Sequence, residues 1–179
     1  MQKMSTKVIR SEEPAKTLQQ LIQRCVDRNR ADGQPLFSVG LSGGSIPSVL
    51  AEVLPQLSSD FAKWRLFFCD ERLVPFEDPE STCGVYRREV MPRVPALAAE
   101  QLIAVNPALS PQSAAEDYER AIRRSLDCAE AEEWPRFDLL LLGMGPDGHT
   151  CSLFPNHALL QEKRKWVSFL TDSPKVSVV

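Results

Sequence analysis

The chain is predicted to adopt an α/β fold built on a mostly parallel sheet, and three observations carry that expectation. Strand-like and helix-like segments alternate along the sequence. Residues 137–142 include four consecutive leucines, a pattern that suits a strand buried on both faces, as in a parallel sheet. Three segments then leave predicted strand ends with unusual polar chemistry: Ser42-Gly43-Gly44-Ser45, Asp70-Glu71-Arg72 and Asp147-Gly148-His149. In open α/β sheets, ligands sit beyond the carboxyl ends of the strands, so this convergence points to an enzyme site.

The elements follow in order. Residues 14–30 form a first helix, with Leu18, Leu21, Ile22, Cys25 and Val26 on one face. Ser11 and Pro14 are its start signals, Asp32-Gly33 its stop. Residues 36–39 form a short buried strand, and residues 46–54 a helix with Ser45 as N-cap and Pro47 in its first turn. A second strand covers 65–69 and a helix 81–91. A third strand covers 101–105, followed by a helix from 111 to about 127. Ser110 caps that helix, and Ala114, Ala115, Tyr118, Ala121, Ile122 and Leu126 point inward. The fourth strand is 137–142. With 179 residues and no linker or repeat, one domain over 1–179 is expected.

Composition excludes several classes. At 43% hydrophobic and 25% charged, the chain is neither disordered nor membrane-like, and its longest apolar runs are too short for a bilayer. A net charge of -3 gives no bulk attraction to nucleic acid or anionic membrane, so an anionic ligand needs a local site. Cys25, Cys69, Cys83, Cys128 and Cys151 are odd in number, irregularly spaced and without a CxxC pair. They read as free thiols in a reducing compartment. The N-terminus lacks a signal-peptide core, so a cytoplasmic location is expected.

The first loop supports two incompatible readings. Gly43 and Gly44 permit close backbone approach, and Ser45 opens a helix whose free N–H groups favour an anion; together they suit a phosphate. The same residues also satisfy GxSxG, a nucleophile elbow with Ser42 as nucleophile and with Asp70 and His149 following in chain order. No HGGG-like oxyanion segment accompanies it. In the second loop, Arg72 suits a phosphate clamp or an oxyanion stabiliser, and Asp70 an orienting group or base; Glu71 is the least functional of the three. In the third, His149 suits a general base near neutral pH, with Asp147 placed to hold its tautomer. His149, Cys151 and His157 match no zinc spacing, and no metal is expected.

Residues 37–45, 68–75 and 142–155 together resemble the 6-phosphogluconolactonase family, animal type, and the likeness extends over nearly the whole chain. The weaker stretches Glu80-Ser81-Thr82, Asn106-Pro107 and Ala114-Ala115-Glu116-Asp117-Tyr118 are similar to it as well. The resemblance implies a Rossmann-like α/β/α fold related to glucosamine-6-phosphate deaminase. It implies hydrolysis of 6-phospho-D-glucono-1,5-lactone without a cofactor, in the oxidative pentose phosphate pathway, by a protein expected to be a monomer. Carried over, residues 42–45 bind phosphate, Arg72 contacts substrate, and His149, oriented by Asp147, is the base. Asp70 and Lys175 join the substrate side.

The resemblance weakens over residues 166–170 and breaks off after Lys175, which is followed only by Val176-Ser177-Val178-Val179. The family continues with a proline-rich segment, an arginine, another strand and further helices. The expectation is therefore a C-terminally truncated form with an uncovered sheet edge and apolar face, weakly stable, its activity left open. The alternatives kept open are a non-catalytic sugar-phosphate binder and a serine esterase using Ser42.

Overall fold

The computed structural model describes residues 7–128, 134–172 and 176–178. Helix α1 (Pro14–Ala31) starts on its proline, buries Ile22 and Val26, and ends where Asp32 N–H returns to Arg28 O and Gly33 takes φ 68°. Strand β1 (Phe37–Leu41) is buried along its full length. Helix α2 (Ile46–Val53) follows, with Pro47 in its first turn. Ser45 does not cap it by its side chain, contrary to expectation: its backbone is already helical (φ -84°, ψ -9°), and a hydroxyl there makes no N-cap bond.

Strand β2 (Trp64–Phe68) leads into a two-residue strand β3 (Glu71–Arg72), where the sequence suggested only a loop. Helix α3 (Thr82–Val85) is capped by the Ser81 hydroxyl, which accepts from Gly84 N–H, and continues through a wider π turn over Tyr86–Val90. Strand β4 (Leu102–Ile103), helix α4 (Pro111–Ser125) and strand β5 (Leu139–Leu141) come next. Ser110 caps α4 as expected, accepting from Ser113 N–H at 3.3 Å. Strands β6 (Phe169–Leu170) and β7 (Ser177–Val178) complete the set.

The main sheet is parallel throughout, in the order β4-β2-β1-β5. Successive strands run outward from β1 to one side, then β5 returns to its other side. The gap between β1 and β5 is thus a topological switch point. Period-two alternation sorts the core into two layers. Phe37, Val39, Leu41, Leu66 and Phe68 pack with Ile22, Leu50, Val53, Tyr86 and Val90 on one face. Phe67 packs with Ala114, Ala115, Tyr118 and Ile122 of α4 on the other. The result is a Rossmann-like three-layer α/β/α arrangement. A small antiparallel sheet, β3-β7-β6, stands beside it.

Strand β5 differs from its expected burial on both faces. Leu141 is buried, but Leu140 is 49% and Leu142 45% exposed. The reason is position: β5 is the sheet edge, and α4 packs over β2 and β4 rather than over β5. At the far side of β2, β4 ends at Ile103, opposite Phe67. The Tyr118 hydroxyl takes up both backbone groups of the next residue, receiving Phe68 N–H at 2.6 Å and donating to Phe68 O at 3.1 Å. No helix among the described residues is long and apolar enough to cross a membrane.

Candidate active site

The three polar segments meet around one cavity of about 220 Å³ at the switch point, lined by Ser42 to Ser45, Asp70, Arg72, Gly143 to Gly145, His149 and Cys151. Each reaches it by a different local device.

Ser42 leaves β1 and ties the first loop to the third. Its N–H and hydroxyl both point to Leu141 O (3.2 and 3.3 Å), its Oγ accepts from Gly143 N–H (3.0 Å), and its carbonyl accepts from the Tyr86 hydroxyl (3.1 Å). Ser42 is 4% exposed, and its hydroxyl is spent on backbone partners. Among the described residues it makes no hydrogen bond to His149, whose Nδ1 belongs to Asp147. That arrangement disfavours the nucleophile-elbow reading, which needs a free hydroxyl paired with the base.

Gly43 is where backbone must come close. A Cβ there would lie 3.4 Å from Thr82 Oγ1 and 4.0 Å from an Arg72 terminal nitrogen. Gly44 takes φ +69°, a left-handed conformation that suits glycine. A second cavity of about 490 Å³ adjoins the first and shares Gly43, Gly44 and Arg72 with it; Thr82 and Glu80 are on its wall. Thr82 Oγ1 is buried and, among the described residues, lacks a hydrogen-bond partner. In the sequence Thr82 stands out only as part of the weak Glu80-Ser81-Thr82 likeness, with no site role attached.

The two acids of the second loop divide their work. Glu71, 2% exposed, accepts from Arg72, Thr82 and Cys83 N–H at 2.7–2.8 Å and from the Ser81 hydroxyl at 3.3 Å. It anchors α3 onto β3 and is structural. Burial raises its carboxyl above the usual range, with these bonds opposing. Asp70, 4% exposed, accepts from the Ser152 hydroxyl at 2.9 Å. Burial raises its pKa too, opposed by the Ser152 hydrogen bond and by the charges of Arg72 and His149. Arg72 makes no ion pair among the described residues, so its guanidinium faces the cavity uncommitted.

The third loop is closed on itself. Gly145 N–H donates to His149 O (2.8 Å), Gly148 N–H to Gly145 O (3.0 Å), and the Thr150 hydroxyl to Gly143 O (2.8 Å). Within it, Asp147 Oδ1 holds His149 Nδ1 at 2.5 Å and His149 N–H at 3.2 Å. The ring bond holds the Asp147 carboxyl below its usual range. The imidazole lies against Gly145, where any Cβ would collide with Nδ1 and Cε1 and stand 2.8 Å from Nε2. Phe154 backs the ring at a centroid distance of 4.9 Å.

His157 lies apart, its ring nitrogens facing Leu159 N–H and Asp172 at 3.2 Å each. Among the described residues no group of three or more His, Cys, Asp or Glu side chains could hold a metal ion. Lys175, expected on the substrate side, falls outside the described residues. The structure therefore brings together Ser42, Gly43, Gly44, Ser45, Asp70, Arg72, Asp147 and His149, and adds Thr82 and Ser152, which sequence reasoning did not single out.

Comparison with known proteins places this arrangement. The family described as glucosamine-6-phosphate isomerases/6-phosphogluconolactonase matches residues 10–178. The chain is 50% identical to the 6-phosphogluconolactonase of Bos taurus over 150 residues, which cover 81% of this chain and 57% of the bovine one. It is 46% identical to that of Homo sapiens over 170 residues, covering 92% and 64% respectively. The chain thus spans less than two thirds of those relatives' length. A solved 6-phosphogluconolactonase from Trypanosoma cruzi superposes with a TM-score of 0.80 at 27% identity, covering all of this chain and 76% of that one. The chain belongs to the glucosamine-6-phosphate isomerase/6-phosphogluconolactonase family.

Proposed function

We propose that this protein hydrolyses 6-phospho-D-glucono-1,5-lactone to 6-phosphogluconate, the lactonase step of the oxidative pentose phosphate pathway. The observation that carries the proposal is the Asp147–His149 pair facing Arg72 and residues 42–45 across one cavity. The relatives named above support the choice of substrate.

The geometry suits water attack on an activated ester. Asp147 occupies His149 Nδ1 and leaves Nε2 to take a proton from the attacking water. As the water oxygen bonds to the lactone carbonyl carbon, the carbonyl oxygen becomes an oxyanion, which the Arg72 guanidinium stabilises. The tetrahedral intermediate collapses by breaking the bond to the ring oxygen. Protonated His149 returns its proton there, giving the free acid and the opened chain. The phosphate lies against Gly43 and Gly44 at the start of α2, within reach of Arg72, where the two cavities adjoin. Anchoring the phosphate holds the carbonyl near the water, which is where positioning accelerates the reaction. Five free cysteines support a reducing, cytoplasmic setting.

The test is lactone hydrolysis by the wild type and His149→Ala, each timed against the spontaneous reaction. Loss of the base is expected to lower kcat by on the order of 10²–10⁴-fold with KM little changed. An unchanged rate in the variant overturns the assignment.

A further inference from the structure

The first loop carries a backbone donor whose direction is set from outside the site. Gly43 borders both cavities, and among the described residues its N–H makes no hydrogen bond. The carbonyl of the same peptide unit, Ser42 O, has one partner among those residues: the Tyr86 hydroxyl, 3.1 Å away. Tyr86 is 1% exposed and borders neither cavity. The lactonase mechanism does not call on it.

We propose that Tyr86 is a positioning residue, whose phenol fixes the plane of the Ser42–Gly43 peptide and so holds Gly43 N–H toward the cavity as a donor to the substrate's phosphate. This role rests on the lactonase reading and its phosphate placement.

A peptide unit is planar, and this one is trans, so its C=O and N–H point in opposite directions. Tying the carbonyl to a phenol in the core therefore turns the N–H away from the core. Among the described residues nothing else holds that plane. Ser42 commits its N–H and hydroxyl to Leu141 O and its Oγ to Gly143 N–H, but those bonds leave rotation about its Cα–C bond free. On the other side of the unit stands Gly43, without a Cβ to resist a flip.

Tyr86 is itself well anchored. The Ser81 hydroxyl caps α3, and the Glu71 carboxylate accepts from Thr82 and Cys83 N–H. The helix widens into its π turn at Tyr86, a distortion common at functional sites. The ring meets Phe68 edge-on at a centroid distance of 5.5 Å. Burial pushes the pKa of the phenol up, so it remains a donor near neutral pH. Gly43 also stands beside Arg72, whose terminal nitrogen lies 4.0 Å from where a Cβ on Gly43 would be. A backbone donor and a guanidinium thus meet at one place, which suits a phosphate.

The test compares the full chain with Tyr86→Phe, which removes the hydroxyl and keeps the ring. In an amide NMR titration with 6-phosphogluconate, the Gly43 resonance of the wild type is expected to move downfield and saturate. In Tyr86→Phe it is expected to move little. Gluconate, which lacks the phosphate, is expected to leave it in place in both. In the lactonase assay, KM is expected to rise roughly 3–10-fold in Tyr86→Phe with kcat little changed, part of the ~10-fold or more that a hydrogen bond to a charged group is worth. Val90→Ala is the control. It empties a buried position on the same π turn without touching Ser42 O. It is expected to lower the melting temperature and to leave KM and the Gly43 response as they are. A Gly43 amide that ignores 6-phosphogluconate in the wild type overturns the proposal, even where Tyr86→Phe does not fold. So does an undiminished response in Tyr86→Phe, a fall in kcat at constant KM, or the same losses in Val90→Ala. The amide readout does not depend on turnover. A Tyr86-dependent Gly43 response in a chain that hydrolyses no lactone counts against the lactonase reading alone.

Discussion

Asp70 lines the cavity, Asp147 holds the His149 that lines it, and the two acids behave as opposites. Asp70 lies at the end of β2, 4% exposed, with one hydroxyl donor and a carboxyl pushed up by burial. Asp147 stands on the rim, with 52% of its side chain exposed and its carboxyl pulled down by the His149 bond. One fold thus pushes the pKa of one carboxyl up and draws that of the other down. The lesson is that role follows surroundings: the rim acid holds an imidazole, while the floor acid is tied to Ser152, three residues past it.

Gly145→Ala is the most damaging way to probe the rim. The new methyl collides with the imidazole, so the ring must leave Asp147. Turnover is expected to fall on the order of 10²-fold in a kinetic assay, with the melting temperature nearly unchanged. Undiminished turnover would show that the observed ring position is not the working one. On the floor, Ser152→Ala strips a buried carboxyl of its hydroxyl donor. It is expected to cost about 1–3 kcal/mol in denaturant unfolding. A neutral result would separate Asp70 from loop anchoring.

The smallest effect is the most diagnostic. Asp147, with its folded pKa depressed, contributes stability that is present above the unfolded pKa and lost as pH falls through the folded one. For Asp70 the sign reverses: its folded pKa is raised, so its contribution is present below the unfolded pKa and lost as pH rises through the folded one. Melts across the acid range are therefore expected to show Asp147→Asn removing a loss on acidification and Asp70→Asn removing a loss on alkalinisation. Slopes of the same sign in both variants would contradict the contrast.

Much of this was legible in the residues. Periodicity located α1 and α4, and glycine-rich turns after apolar runs located Ser42 to Ser45 and Asp147 to His149. Both signals are local, spanning a few residues of helix or loop. The Asp70–Ser152 bond joins positions 82 residues apart, and the Ser42–Gly143 bond positions 101 apart. No local pattern encodes such pairings. Glu71 illustrates the converse. Acid beside arginine at a strand end reads as a solvated charge cluster, yet the carboxylate is buried as a helix anchor. Leu140 and Leu142 misled in another way, because a leucine run looks the same at the edge of a sheet as at its centre.

Tyr118 carries a consequence beyond the core. Its phenol finishes a backbone ladder that β4 leaves short, two residues before Asp70 and four before Arg72. A helix that contributes nothing to the cavity wall thereby acts as the gauge for where the second loop begins. A change at Tyr118, invisible to any inventory of cavity residues, is expected to be felt as a shift in the reach of Arg72.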